Sequence, residues 1–261
     1  VFKCRANSKI MEQALPLTDA MFPGPKVVSG ADSAKKIPEV LKELNVNKVM
    51  IVTGPTVGRT IVPPIAENLE RHGIGYTIYD QVEANPSVKT VEAIRAQYLE
   101  NGCDGFLAIG GGSPMDAAKA AAARVAKPNT PIGKMAGLMK VMIKVAPIVA
   151  VPTTSGTGSE VTMGAVISDH DERHKYAIMD PNLVPKYAVL DPKLTVSMPK
   201  FVTATTGIDA LTHAVESYVT WAYNNNASNR NAEEAVVKIF RNLKRACEDL
   251  SLIHISEPTR H

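Results

Sequence analysis

Short apolar runs alternate with longer amphipathic stretches over the first 150 or so residues. Residues 48–53, KVMIVT, form such a run, closed by Gly54-Pro55, and predict a buried strand followed by a turn. Ile61, Ile65 and Leu69 then recur at helical spacing, with Pro63 and Pro64 near the start and Gly73 at the stop. Residues 75–79, GYTIY, predict a second strand. Val88, Val91, Ile94 and Tyr98 share one face of a second helix, which ends at Gly102. A third strand is expected over 105–109, GFLAI, then a helix of small residues from Pro114 to about Ala126, then a fourth strand over 146–151, APIVAV. Alternation of this kind predicts a parallel sheet covered by helices on both faces.

The pattern changes after Pro152. Val161 to Ser168 and Lys175 to Met179 flank the polar turn Asp169-His170-Asp171-Glu172, which suggests a hairpin, and 187–190, YAVL, give another short strand. From Phe201 onward the spacing is helical. Ala235, Ile239, Leu243 and Cys247 line one face, joined by Val236, Phe240 and Leu250. The expected fold is therefore α/β. A Rossmann-like parallel-sheet domain over residues 1–199 leads into the start of an all-α helical domain over 200–250. Residues 251–261 have neither helical nor alternating periodicity and resemble a translated sequencing-adapter tail, so they are set aside as non-native sequence. The chain opens on Val1 rather than methionine, as a fragment edge or a processed end would.

Composition narrows the function classes. The chain has 261 residues, 45% hydrophobic and 21% charged, with a formal net charge of +3. So small an excess, with no clustered basic face, argues against a nucleic-acid partner. No apolar run reaches the ~18 residues that a membrane span requires. Cys4, Cys103 and Cys247 are far apart, form no metal-type cluster, and read as buried, inert thiols of a reducing, cytoplasmic compartment.

Three motifs carry candidate chemistry. Gly110-Gly111-Gly112-Ser113 lies between a strand and a helix, where glycines let a diphosphate approach free backbone amides at a helix N-terminus. It departs from G-x-G-x-x-G, with Met115 at the third glycine, and a tight strand–helix turn explains it equally. Pro152-Thr153-Thr154-Ser155-Gly156-Thr157-Gly158-Ser159-Glu160 follows a buried strand at its carboxyl end, where open α/β sheets bind ligands. Its hydroxyls suit ribose and phosphate, or merely cap a loop. Asp209 and His213 stand four apart on an expected helix, so both project from one face. They suit one divalent cation, or a surface hydrogen bond.

In this order the three motifs resemble those of the iron-containing (group III) alcohol dehydrogenase family. The resemblance rests on GGGSPMDAAK at 110–119, PTTSGTGSEVT at 152–162 and DPKLTVSMPKFVTATTGIDALTHAVESY at 191–218. It implies an NAD(P)-linked, metal-dependent enzyme that oxidises a small alcohol or reduces an aldehyde, homo-oligomeric when complete. It further implies that Gly111, Gly112 and Ser113 hold the pyrophosphate, and that Thr153, Thr154 and Thr157 line the nicotinamide side. Lys175 would reach the dinucleotide, and Asn85 would sit near the adenosine. Gly54 stands where relatives that prefer NAD carry aspartate, so NADP is expected to be tolerated. Asp209 and His213 would be the first two of four ligands to Fe²⁺, with Zn²⁺ or another divalent ion also accommodated. The remaining two ligands, both histidines, belong to later helices of the family. His254 and His261 are not expected to replace them, and His72, His170 and His174 read as solvated. Two other readings compete. One is a dehydroquinate-synthase-like lyase, against which the Gly207–Glu216 stretch argues. The other is a non-catalytic dinucleotide-binding fragment, the description that fits a chain stopping before its second metal-binding helix.

Overall fold

The computed structural model describes residues 24–171, 173–220 and 226–248. They form two compact units, an α/β unit of residues 24–153 and 158–194, and a helical unit of 154–157 with the described residues from Thr195 onward. The change of unit therefore falls at Thr195, a few residues before the expected 199/200 boundary.

In the α/β unit the strands are β1 (Lys26–Ser29), β2 (Lys48–Val52), β3 (Gly75–Tyr79), β4 (Gly105–Gly110), β5 (Gly137–Leu138), β6 (Ile148–Pro152), β7 (Gly164–Asp169), β8 (His174–Met179) and β9 (Tyr187–Leu190). The helices are α1 (Ile37–Glu43), α2 (Pro55–Thr60), α3 (Val62–Arg71), α4 (Val88–Glu100) and α5 (Gly112–Ala126). Six strands pair in parallel in the order β1-β9-β6-β4-β2-β3. The unbroken apolar runs of the central strands follow from burial on both faces. Alternate residues of each run serve different cores. Met50, Val52, Phe106 and Ala108 pack with Val91, Ile94 and Tyr98 of α4 and with the alanines of α5. Val49, Ile51, Leu107 and Ile109 pack on the other face with Ile37 and Leu41 of α1 and with Ile65 and Leu69 of α3.

Several bounds differ from those expected. The helix through Ile61 is two, α2 and α3, because the chain breaks step at Ile61. Helix α5 begins at Gly112, with Gly111 at its cap, so Pro114 is its third residue. That position also lacks an intrahelical N–H bond, so proline is tolerated there. β1 and α1 carried no legible signal: β1 is a short, mostly exposed edge strand and α1 has only seven residues. The hairpin is β7–β8, antiparallel, with β5 added in parallel along β8. Ser159–Val161 form a 3-10 turn rather than the start of its first strand.

The helical unit holds α6 (Lys200–Val219) and α7 (Asn226–Glu248). Gly207 favours their close approach, because a Cβ there would overlap the Leu243 side chain. The buried stripe of α7 is Ala232, Ile239 and Ala246. Of the expected face, Ile239 is buried and Leu243 meets Gly207, whereas Phe240 is 74% exposed and Cys247 is only partly buried. Leu250 lies outside the described residues, as does Cys4. Cys103 is buried, and burial raises its thiol pKa, in keeping with an inert role. No helix among the described residues is long and apolar enough to cross a membrane.

Asp180, fully buried after β8, ties the 139–142 segment to the hairpin. The Val141 and Met142 amides donate to its Oδ2 at 3.0 and 2.8 Å, and the Asn182 amide and side chain donate to Oδ1 at 3.0 and 2.8 Å. Burial alone would raise its pKa, but these donors outweigh it and hold the carboxyl below its ordinary value. A carboxylate whose pKa is lowered by folding contributes its stability above the unfolded value, near 4, and loses it as pH falls through the folded value. Asp180→Ala should therefore destabilise the unit by about 2–4 kcal/mol at neutral pH, since buried amides are left unpaired. In urea melts, the deficit relative to wild type should shrink below about pH 4.

Candidate functional site

β6, β4 and β2 lie side by side, so their carboxyl ends bring Thr153, the Gly110–Ser113 loop and Gly54 to one edge of the sheet. The Thr153 amide donates to the Gly110 carbonyl at 2.9 Å, which extends the β4–β6 pairing into the loop. Gly110 has φ +148°, and a Cβ on it would lie 2.7 Å from Pro114 Cγ. Backbone strain and steric overlap thus both demand glycine at the point where the chain turns from β4 into α5. The first-turn amides of α5 have no partner within the helix, and the helix dipole adds to their attraction for an anion.

Two distant residues converge on this loop. The Asn85 amide donates to Ser113 Oγ at 3.3 Å, and Lys175 Nζ donates to Asn85 Oδ1 at 2.9 Å. Asn85 holds φ 57°, a left-handed conformation that asparagine tolerates better than most residues. Ser113, Asn85 and Lys175 therefore share one exposed hydrogen-bonded cluster at the start of α5, with a lysine charge available to an anionic ligand. Gly54 caps α2 with φ −94°, a conformation open to any residue, and a Cβ there would sit 3.2 Å from the Val82 carbonyl. Beside it, the Thr53 hydroxyl is buried without a hydrogen-bond partner among the described residues.

A second cluster, not among the expected site residues, lies behind the loop. Lys119 is fully buried in α5. Its ammonium donates to the carbonyls of Ser159, Thr162 and Gly164 at 2.7, 2.9 and 2.9 Å, and lies 3.0 and 3.2 Å from the hydroxyls of Ser159 and Thr162. Asp116, one turn earlier, accepts from Ser159 Oγ at 2.8 Å and from the Val166 amide at 3.0 Å. Burial pulls the Lys119 pKa down to about 8, against the charges of Asp116 and Glu160, so the ammonium persists at pH 7. Burial likewise raises the Asp116 pKa, against the Val166 amide, the Lys119 charge and the Ser159 hydroxyl. The signal was present in the sequence: an Asp and a Lys three apart among Ala117, Ala118, Ala120 and Ala121, which are all buried.

In the helical unit, Gly156 lies so close to α6 that a Cβ would overlap the Thr206 carbonyl. This close approach fixes the path of the chain between Thr154 and Thr157. Asp209 and His213 share a face of α6, with Asp209 Oδ1 and His213 Nε2 3.7 Å apart. Ligands about 2.1 Å from a shared ion stand roughly 3 Å from each other, so a small side-chain adjustment would let both meet one cation. Both side chains are a little under half exposed. Among the described residues no cluster of three or more metal-binding side chains exists. The residues present thus fit part of a metal site.

A family model described as iron-containing alcohol dehydrogenase matches residues 24–192, and its C-terminal companion matches residues 203–257. The chain belongs to the iron-containing alcohol dehydrogenase family. The second match runs into the segment set aside above as non-native, which lies outside the described residues. Choline dehydrogenase of Bacillus subtilis is 36% identical over 76% of this chain and 50% of its own length. The crystal structure of a 1,3-propanediol oxidoreductase matches with a TM-score of 0.86 at 32% identity, over 90% of this chain and 62% of that one. Sulfoacetaldehyde reductase from Bifidobacterium kashiwanohense, solved with NAD⁺, matches with a TM-score of 0.81 at 27% identity, over 90% of this chain and 62% of that one. The chain spans about half the length of the curated relatives it matches.

Within this iron-containing alcohol dehydrogenase chain, the loop geometry leaves no room for a side chain at Gly110. Gly110→Ala should displace Pro114 and with it the first turn of α5. A melting temperature lowered by several degrees, together with weaker NADH binding by calorimetry, is the expected outcome; wild-type values for both would contradict it.

Proposed function

We propose that this chain forms the dinucleotide-binding portion of a metal-dependent, NAD(P)-linked alcohol dehydrogenase or aldehyde reductase that acts on a small alcohol or aldehyde. The observation that carries this reading is the convergence of Asn85 and Lys175 on Ser113, at the glycine turn into α5. Unpaired amides, a helix N-terminus and a lysine charge at one point suit a diphosphate. Gly111, Gly112 and Ser113 would hold that group, Lys175 would neutralise part of its charge, and Asn85 would orient Lys175 on the adenosine side. Thr153, Thr154 and Thr157 would hydrogen-bond the nicotinamide half, while Asp209 and His213 would contribute two ligands to Fe²⁺, Zn²⁺ or a similar ion. When bound, the ion would supply Lewis acidity toward the substrate oxygen, and the nicotinamide would supply the hydride acceptor or donor. Homo-oligomeric assembly and a cytoplasmic location belong to the same reading, the latter supported by widely spaced cysteines.

Calorimetric titration of the full chain with NAD⁺ and NADP⁺ tests it. Wild type should bind, and Gly112→Val, by blocking backbone approach, should weaken binding at least tenfold. Unchanged affinity in a folded Gly112→Val chain would overturn the assignment. Coenzyme choice gives a second check. A Cβ at position 54 would sit 3.2 Å from the Val82 carbonyl, so an aspartate there requires a local shift of a few tenths of an ångström. A carboxylate there would repel a 2′-phosphate, so Gly54→Asp should weaken NADP⁺ binding relative to NAD⁺ by about tenfold, or roughly 1.4 kcal/mol. A wild-type chain that already rejects NADP⁺ would contradict this account of Gly54.

A further inference from the structure

Lys119 and Asp116 belong to no part of the chemistry described above, yet Lys119 is fully buried and both are held by hydrogen bonds to residues 40–50 positions away. An unpaired buried charge is costly, and a lysine in the middle of a helix has no local acceptors to offset it. Lys119 draws its acceptors from residues 159–164, and Asp116 takes the Val166 amide and the Ser159 hydroxyl. Together they clamp the segment entering β7 onto α5.

The clamp continues to the candidate ligand site. Within the hairpin Ser168 pairs with Lys175. The Ser168 amide donates to the Pro86 carbonyl at 2.9 Å, and Ser168 also bridges Ser87, so the hairpin is fastened to the loop that carries Asn85. Lys175 then reaches Asn85, and Asn85 binds Ser113 at the start of α5. The contacts close a ring: Ser113, Asn85, Lys175, Ser168, Val166, Asp116 and Lys119, and back along α5 to Ser113. Two sides of this ring carry the residues assigned to the diphosphate. The opposite side is the buried clamp.

We propose that Lys119, supported by Asp116, is a positioning residue for dinucleotide binding: by fastening the β7–β8 hairpin to α5 it sets where the Lys175 ammonium stands relative to the Gly111–Ser113 amides. The inference rests on the diphosphate assignment under Proposed function. It predicts that loss of Lys119 acts through Lys175. A lysine that merely stabilised the fold would change the melting temperature without coupling to Lys175 in ligand affinity.

A double-mutant cycle on the full chain, read by calorimetric titration with NADH at a temperature well below melting, tests it. Lys119→Met and Lys175→Ala should each weaken NADH binding about tenfold, and the double variant should bind no more weakly than the worse single one. Circular dichroism identifies folded variants. If Lys119→Met does not fold, Asp116→Asn takes its place in the same cycle, because it keeps the side-chain volume while weakening the hold on Val166 and Ser159. Wild-type affinity in the folded clamp variant, or losses that simply add in the double variant, would overturn the proposal. A wild-type chain that fails to bind NADH would instead overturn the function assignment, and this inference with it. A chain whose binding depends on Gly112 but not on the clamp would overturn this inference alone.

Discussion

A single ammonium group in the middle of α5 constrains much of the α/β unit. Lys119 cannot reach water, and its charge at neutral pH requires oxygen acceptors within hydrogen-bond distance. The helix around it is alanine-rich, which lets it lie against the parallel sheet on one side and the β7–β8 hairpin on the other. Its alanines offer no acceptors, so carbonyls of residues 159–164 must turn inward to supply them. That requirement fixes the path of the chain after Gly158 and the start of β7. Because β7 fixes the register of β8, it also fixes the height at which Lys175 stands.

At the other end of the same helix the constraint is steric rather than electrostatic. Gly110 must be glycine because of its φ and its closeness to Pro114, and the first-turn amides beyond it have no partner within the helix. A buried cation at one position of α5 and a glycine turn at its start thus produce a surface with amides, a hydroxyl, an asparagine and a lysine together. The helical unit follows another rule. Gly207 and the stripe Ala232, Ile239 and Ala246 allow α6 and α7 to pack closely, with Asp209 and His213 presented on one face of α6.

Much of this was legible in the sequence, for physical reasons that also explain the gaps. β2, β4 and β6 were visible because strands buried on both faces read as unbroken apolar runs between turn residues. The division of their alternate residues between two cores was not, since no polar position marks it. β1 was invisible because a short exposed edge strand has no buried period. Phe240 is exposed although its helical spacing looks like core, because it lies beside the face of α7 that carries Ile239 and Leu243 rather than on it. The glycine turn is marked by its place between a strand and a helix, whereas Asn85 and Lys175 are singled out by the family resemblance alone. Their meeting was not legible, because Asn85 and Lys175 are 90 residues apart and only the hairpin brings them together. Lys119 gives no plain signal because lysine in a helix normally marks the solvent face; the four buried alanines around it are the better guide.

The central claim is that the buried lysine ties α5, the hairpin and the Asn85 loop into one hydrogen-bonded unit. Native-state hydrogen exchange reads this directly at the Val166 and Ser168 amides, which donate to Asp116 and Pro86 on opposite sides of the ring. The account predicts one common opening free energy for the two amides, raised equally when NADH saturates the chain. A Ser168 amide that opens at a lower free energy than Val166, and that does not respond to NADH, would contradict it.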